Sequence, residues 1–216
     1  MIMTKYTVAT AMKEVGGLGK PSKMPGFSYS VPAQECKTGS KLVKIKGSVC
    51  HNCYALKGNY VRFPMVGKAL YNRLDLVENN PKWVGAMAFL INWYASKTTH
   101  FRWHDSGDIQ SVKHLTKIVE VCKLTPNVKH WLPTREAKMV KEYLKDYGSF
   151  PSNLIVRVSA TMVDGEPHKF HEHTSTVVTS KSDKGYTCPA PTQGNECKDC
   201  RACWDKRVSN VAYLEH

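Results

Sequence analysis

The sequence has no apolar run long enough to cross a bilayer; its longest, Trp83 to Ala95, is too short and too interrupted. The first residues carry neither the apolar core nor the cleavage site of a secretory signal, so the expectation is a cytoplasmic protein without membrane contact. No internal repeat and no low-complexity segment is present, which excludes a solenoid or a linker-rich chain. A dinucleotide fingerprint is missing too: Gly16-Gly17-Leu18-Gly19 has neither the spacing nor a strand before it. Acidic residues are few, 18 Asp and Glu against 31 Lys and Arg, for a formal net charge of +13. Such a surplus points to nucleic acid or another polyanion as partner. The lysines are scattered, with one loose run at Lys37, Lys41, Lys44 and Lys46, and no nucleic-acid motif accompanies them.

Cysteine is what the sequence has in excess. Four of the eight cysteines fall in residues 188–203, as Cys188, Cys197, Cys200 and Cys203. The last three are spaced Cys-x2-Cys-x2-Cys, which lets successive thiolates turn back onto one inorganic centre such as a four-iron cluster. Cys36, Cys50 and Cys53 form a second group far upstream. In a reducing compartment clustered cysteines favour metal over disulfides. Cys122 sits on an apolar helix face and reads as a small core residue. Two arrangements of the remaining thiolates are open. In one, the four C-terminal cysteines close one site and the upstream three hold a cluster with one iron free. In the other, both groups serve a single cluster. Zinc competes through paired knuckles, Cys50-x2-Cys53 with Cys197-x2-Cys200.

With 216 residues the chain suits one domain, residues 1–216, whose last residues from Leu214 read as a tag scar. Residues 1–35 open the chain as a glycine- and proline-rich loop, with a strand at Phe27–Val31. Helical spacing at Val66, Leu70, Leu74 and Val77, then an apolar stretch over 81–95, predicts two helices. From His100 strands and helices alternate: strands at 101–103, 130–132, 154–159, 176–179 and 208–213, helices at 111–124 and after Thr134, taken as a cap. The alternation predicts an α/β fold with parallel strands. A complete eightfold barrel needs about 250 residues, so we expect a partial or irregular (β/α) barrel, with a loop-rich N-terminal and a Cys-rich C-terminal segment.

In such a fold the C-terminal strand ends share one face and build the site. His104-Asp105-Ser106-Gly107-Asp108 falls there, between a strand and a helix. His104 and Asp108 are the candidate acid/base residues; Ser106, Gly107 and Arg135 are the candidates for holding a cofactor. The same residue types also make ordinary turns and caps. His168-x2-His171-x-His173, expected on an exposed loop, has metal-ligand residue types as well.

Three motifs together resemble the bacteriophage gene product 88-like family. They are Cys50-x2-Cys53-Tyr54-Ala55-x-Lys57-Gly58-x-Tyr60, Arg102-x-His104-x-Ser106-Gly107-Asp108 and Cys197-x2-Cys200-x2-Cys203-Trp204, spread over about residues 30–210. The resemblance implies a phage-encoded protein with an iron–sulfur centre and no settled reaction. The chain is also distantly similar to radical S-adenosylmethionine enzymes, partial barrels with a three-cysteine cluster. Their Cys-x3-Cys-x2-Cys has its nearest counterpart here in Cys36-x13-Cys50-x2-Cys53, a far longer first gap, with Ser106-Gly107-Asp108 in place of the glycine-rich acidic segment. That likeness implies S-adenosylmethionine as a cofactor, and the spacing departs from it. Two functions are therefore carried forward. One is a 4Fe–4S protein with one cluster or two, a redox or radical-type enzyme served by an electron donor. The other is a zinc-binding, non-enzymatic nucleic-acid module.

Overall fold

A computed structural model describes residues 6–181 and 184–215. The start of the chain, read as lacking a signal, and His216 lie outside the described residues. Seven parallel strands form one sheet: β1 (Phe27–Tyr29), β2 (His100–Trp103), β3 (Lys129–Thr134), β4 (Leu154–Ser159), β5 (Thr174–Val178), β6 (Tyr186–Thr187) and β7 (Asn210–Leu214). Their order is β1-β2-β3-β4-β5-β7-β6. The first five strands therefore lie side by side in chain order, without the reversal of a doubly wound sheet. Leu214, taken for the start of a tag, ends β7 opposite Val178.

The helices are α1 (Val8–Val15), α2 (Gly39–Leu42), α3 (Asn59–Arg62), α4 (Pro64–Asn79), α5 (Trp83–Tyr94), α6 (Val112–Leu124) and α7 (Ala137–Tyr147). Local chemistry sets their ends. Pro64 opens α4, where its missing N–H costs nothing. The Ser111 hydroxyl accepts from the His114 N–H at 3.1 Å and caps α6. The loop expected at the N-terminus holds α1 instead, closed at its start by reciprocal Thr7–Thr10 bonds and at its end by Gly16 at φ 74°. Thr134 does not cap α7. It ends β3, and its hydroxyl accepts from the Glu136 N–H at 3.0 Å. Among the described residues no helix is long and apolar enough to cross a membrane.

The two faces of the sheet differ. Tyr29, Phe101, Trp103, Leu132, Leu154, Val156 and Val158 enter one core with α1, α4, α5, α6 and α7. Trp83 and Trp103, both fully buried, anchor it; a buried side chain of such size contributes about 1.5–3 kcal/mol. Cys122 is fully buried there, as expected. The residues between these, Arg102, Trp131 and Arg157, look the other way. That face is covered by the chain between β6 and β7: Trp204 packs edge-on against Trp131 and donates to the Phe101 carbonyl at 2.9 Å. The cysteine-bearing segment thus lies across the face the helices leave open.

Candidate functional site

The strand order brings the ends of β2, β3 and β4 together, and the upstream cysteines gather there. The Sγ atoms of Cys36 and Cys50 both lie within 3.7 Å of the point a Cβ on Gly39 would occupy. Cys36 is in electrostatic reach of Asp108, Cys53, Cys50 and Glu136. Cys50 is in reach of Arg135, Cys53, Asp108 and Glu136. Burial pushes both thiols above their usual range, and at Cys50 the Arg135 guanidinium opposes it.

The wall around these thiols is tied from three sides. Glu136, which the sequence gave no reason to single out, accepts from the Thr38 N–H and hydroxyl, both at 2.7 Å, and so fixes the Cys36 loop. Asp108 accepts from the Thr134 hydroxyl at 2.6 Å and from the Ile109 and Arg135 N–H groups at 2.8 Å, joining the loop after β2 to the end of β3. Burial raises its carboxyl to about 6, against the pull of those donors. Asp105 holds the Cys50–Cys53 segment: Tyr54 donates to its carbonyl, and Tyr60 donates to its Oδ2 at 3.1 Å.

The remaining candidates of the His104–Asp108 segment face inward. His104 takes φ 56°, unusual for a residue with a side chain, and is 3% exposed. Its ring packs edge-on against His114 at 5.2 Å, and among the described residues neither ring nitrogen has a hydrogen-bond partner. The Ser106 hydroxyl donates to the Val31 carbonyl at 3.2 Å. Gly107 sits at φ 77°, where a Cβ would come to 2.4 Å from the Val31 oxygen. Its lack of a side chain lets two loops touch. Gly107→Ala should therefore cost about 2–4 kcal/mol, from left-handed strain plus the clash. Gly58→Ala, at φ 55° with nothing within 4 Å, should cost only the strain, about 1–2 kcal/mol. Equal urea midpoints for the two variants would refute this.

The C-terminal cysteines form a separate group. Cys188, Cys197 and Cys203 each feel another member of it, and Tyr186 feels Cys200, Cys188 and Cys203 together. The Tyr186 hydroxyl is 3.5 Å from Cys200 Sγ, and the Tyr213 hydroxyl 3.1 Å from Cys203 Sγ. Burial pushes the Cys203 thiol up to about 12. Cys50 is in electrostatic reach of Cys53, and Cys197 of Cys188 and Cys200, each within its own group. Arg102 runs between the groups. Its guanidinium lies 4.7 Å over the Trp131 ring, and its charge is felt with Tyr54 and Asp105 as well as with Tyr213 and Cys203. Arg157 holds the second group in place with six hydrogen bonds to main-chain carbonyls, those of Cys203 and Ala202 among them. No alternation pattern marks it, since all six residues of β4 are buried.

Among the described residues no three His, Cys, Asp or Glu side chains are arranged to hold a single metal ion. Two of the histidines after Gly165 bond the main chain: a His171 ring nitrogen bonds the Val156 carbonyl at 2.8 Å, and one of His173 bonds that of Lys206 at 3.0 Å. His173 is buried, not on an exposed loop.

These features define a cysteine-rich α/β protein with helices on one face of a parallel sheet and a thiol-bearing segment on the other. The chain belongs to the gene product 88 family, whose model matches residues 3–206, beyond the N-terminal limit that the three motifs reach. No curated protein and no solved structure matches it.

Proposed function

We propose that the protein is an iron–sulfur protein with two thiolate centres and a one-electron redox or radical-type role. The single observation behind this reading is the sorting of seven cysteines into a group of four and a group of three. Cys188, Cys197, Cys200 and Cys203 would hold a closed four-iron cluster, and Cys36, Cys50 and Cys53 one with an open iron. A zinc ion needs four sulfurs about 2.3 Å from one point; a cube of iron and sulfide accepts thiolates set further apart, which suits groups too open for a single ion. When bound, such a centre supplies one-electron chemistry and, at an open iron, a place for a substrate atom.

The chain's own residues supply the rest. Arg135 places positive charge beside Cys50, and Asp108 and Glu136 hold Arg135 and the Cys36 loop in register. Asp108, in electrostatic reach of Cys36 and Cys50, would be the acid/base residue of this group, with His104, buried against His114, as the second candidate. The sequential strand order suits an open partial barrel, with the three-thiol group at its C-terminal rim and the four-thiol group in its hollow. The partner would be an electron donor meeting the four-thiol group near Tyr186, 43% exposed, in the host cytoplasm, where thiols stay reduced. S-adenosylmethionine as ligand of the open iron is disfavoured because the Ser106 hydroxyl is bonded to the Val31 carbonyl and Gly107 is packed closely against Val31.

The experiment is the visible spectrum and the iron and sulfide content of protein purified without oxygen, before and after dithionite. Broad brown absorption that bleaches on reduction, with about eight iron per chain, is expected for two cubanes. A colourless protein that carries stoichiometric zinc would overturn the reading.

A further inference from the structure

The opposite ends of the same strands make a second feature, unconnected with the three-thiol group. His100 begins β2, Lys129 begins β3 and Asn153 precedes β4; with Arg201, Lys206 and Arg207 from the C-terminal segment they line a cavity of about 430 Å3. β3 is six residues long, so this end lies about 15–20 Å from the Asp108 end. Four cations meet one carboxylate, Asp205, at this cavity. That carboxylate is committed to Arg207, which grips it through Nη2 at 2.7 Å and Nε at 3.0 Å. Among the described residues Lys129, Arg201 and Lys206 have no ion-pair partner. Uncompensated positive charge is therefore concentrated in one concave place, on a chain of net charge +13. Burial, and then the charges of Arg201 and Lys129 beside it, lower the pKa of His100 to about 4.

We infer that this groove binds the phosphate backbone of a nucleic acid. The donors left over decide between a polyanion and one small phosphate. A small phosphate is held by forked guanidinium pairs or a ring of amides. Here the fork of Arg207 is occupied by Asp205, and Nη1 of Arg201 donates to the Cys200 carbonyl at 2.8 Å and also to that of Lys198. The side-chain amide of Asn153 donates to three carbonyls between 2.9 and 3.0 Å. What remains is point charge on the exposed Lys129 and Lys206, with the outer edge of Arg201. Point charges suit a chain of phosphates that releases counterions at several contacts. Trp204 is 4% exposed, so the groove offers no stacking platform and the expected binding is indifferent to sequence.

The test uses the whole protein and fluorescein-labelled single- and double-stranded oligonucleotides, with anisotropy followed over a salt series. The variant is Lys129→Glu with Lys206→Glu. Its control is Lys141→Glu with Lys145→Glu on α7, which changes the net charge equally. The groove variant should bind roughly tenfold or more weakly than the control, with a salt slope shallower by about two. Milder Lys→Gln versions of the groove pair, checked for native circular dichroism, should show the same order. Equal losses in groove and control variants would reduce the effect to overall charge and overturn the proposal. So would undetectable binding by the parent protein at low salt. Displacement of the oligonucleotide by inorganic phosphate, at concentrations where chloride of equal ionic strength does nothing, would make it a small-anion site and overturn it too. Both cysteine groups are intact in all these variants, and iron is measured beside binding, so a loss of binding is told apart from a loss of metal.

Discussion

Arg157→Leu is expected to cost at least about 4 kcal/mol, against a total stability of about 5–15 kcal/mol for a domain. The guanidinium is fully buried and its donors reach six carbonyls, of Thr174, Ala202, Cys203, Asp205, Val208 and Ser209. A buried ion pair can often be exchanged for apolar residues without loss, because both charges leave together. That exchange is not open here, because the acceptors are main-chain oxygens and no substitution removes them. Leucine would leave them buried and unpaired, each at about 1–3 kcal/mol before the segment relaxes. Lysine has three donors and no fork, so Arg157→Lys should recover only part of the loss.

The effect should also be uneven across the molecule. Five of the six anchored carbonyls, all but that of Thr174, belong to the chain carrying Cys203 and Trp204, so that segment should leave the sheet before the helix-side core melts. Two readouts separate local from global loss: the urea midpoint followed by tryptophan emission, and the rate at which a thiol reagent labels Cys203 in metal-free protein. Faster labelling with an unchanged midpoint would place the loss in the segment alone. A wild-type midpoint together with wild-type labelling would refute the role given to Arg157.

Arg157 also marks where the sequence stopped being legible. Residues 154–159 announce a strand through their β-branched and aliphatic run. One arginine inside that run could as well have been a solvated edge residue. Only the chain between β6 and β7, folded back over the sheet, makes it an internal anchor. Helices α4 to α7 and strands β2 to β4 were readable because their apolar spacing matches one buried face. The first helix had its own signal, Thr7 three residues before Thr10 and a glycine at position 16, but a threonine at the third position is a weaker mark than the usual Glu or Gln. Strand β6, two residues long, carries no periodicity at all. In the site, residue types were legible and partners were not. Asp108, Ser106 and Gly107 were singled out as chemistry; the hydrogen bonds of the first two and the close approach that the third allows tie loops together. Glu136, which carries charge to the three-thiol group, stands in no motif, because distant loops bring it there; Arg102 opens the middle motif, but nothing in the motif announces that its charge reaches Cys203.

The division of the cysteines leads to the second large effect. Cys36→Ser with Cys50→Ser should remove about half of the iron and leave a protein that still bleaches with dithionite, because Cys188, Cys197, Cys200 and Cys203 are untouched. Serine replacements at Cys197, Cys200 or Cys203 should remove the other half and lower solubility as well. The asymmetry has a structural cause. The upstream loops are tied to the sheet by side chains independent of any metal, the two bonds from Thr38 to Glu136 among them. Cys197 and Cys200 lie in a stretch of turns and single helical turns with few such ties, so a cluster there would also be a staple. Iron and sulfide analysis beside circular dichroism checks the claim. If either set of replacements empties the folded protein of all its iron, the seven thiolates serve one shared cluster, and the two-centre reading fails while an iron–sulfur protein remains. If both sets keep full metal, the thiols are not ligands, and the buried or half-buried cysteines would have to be explained by packing alone.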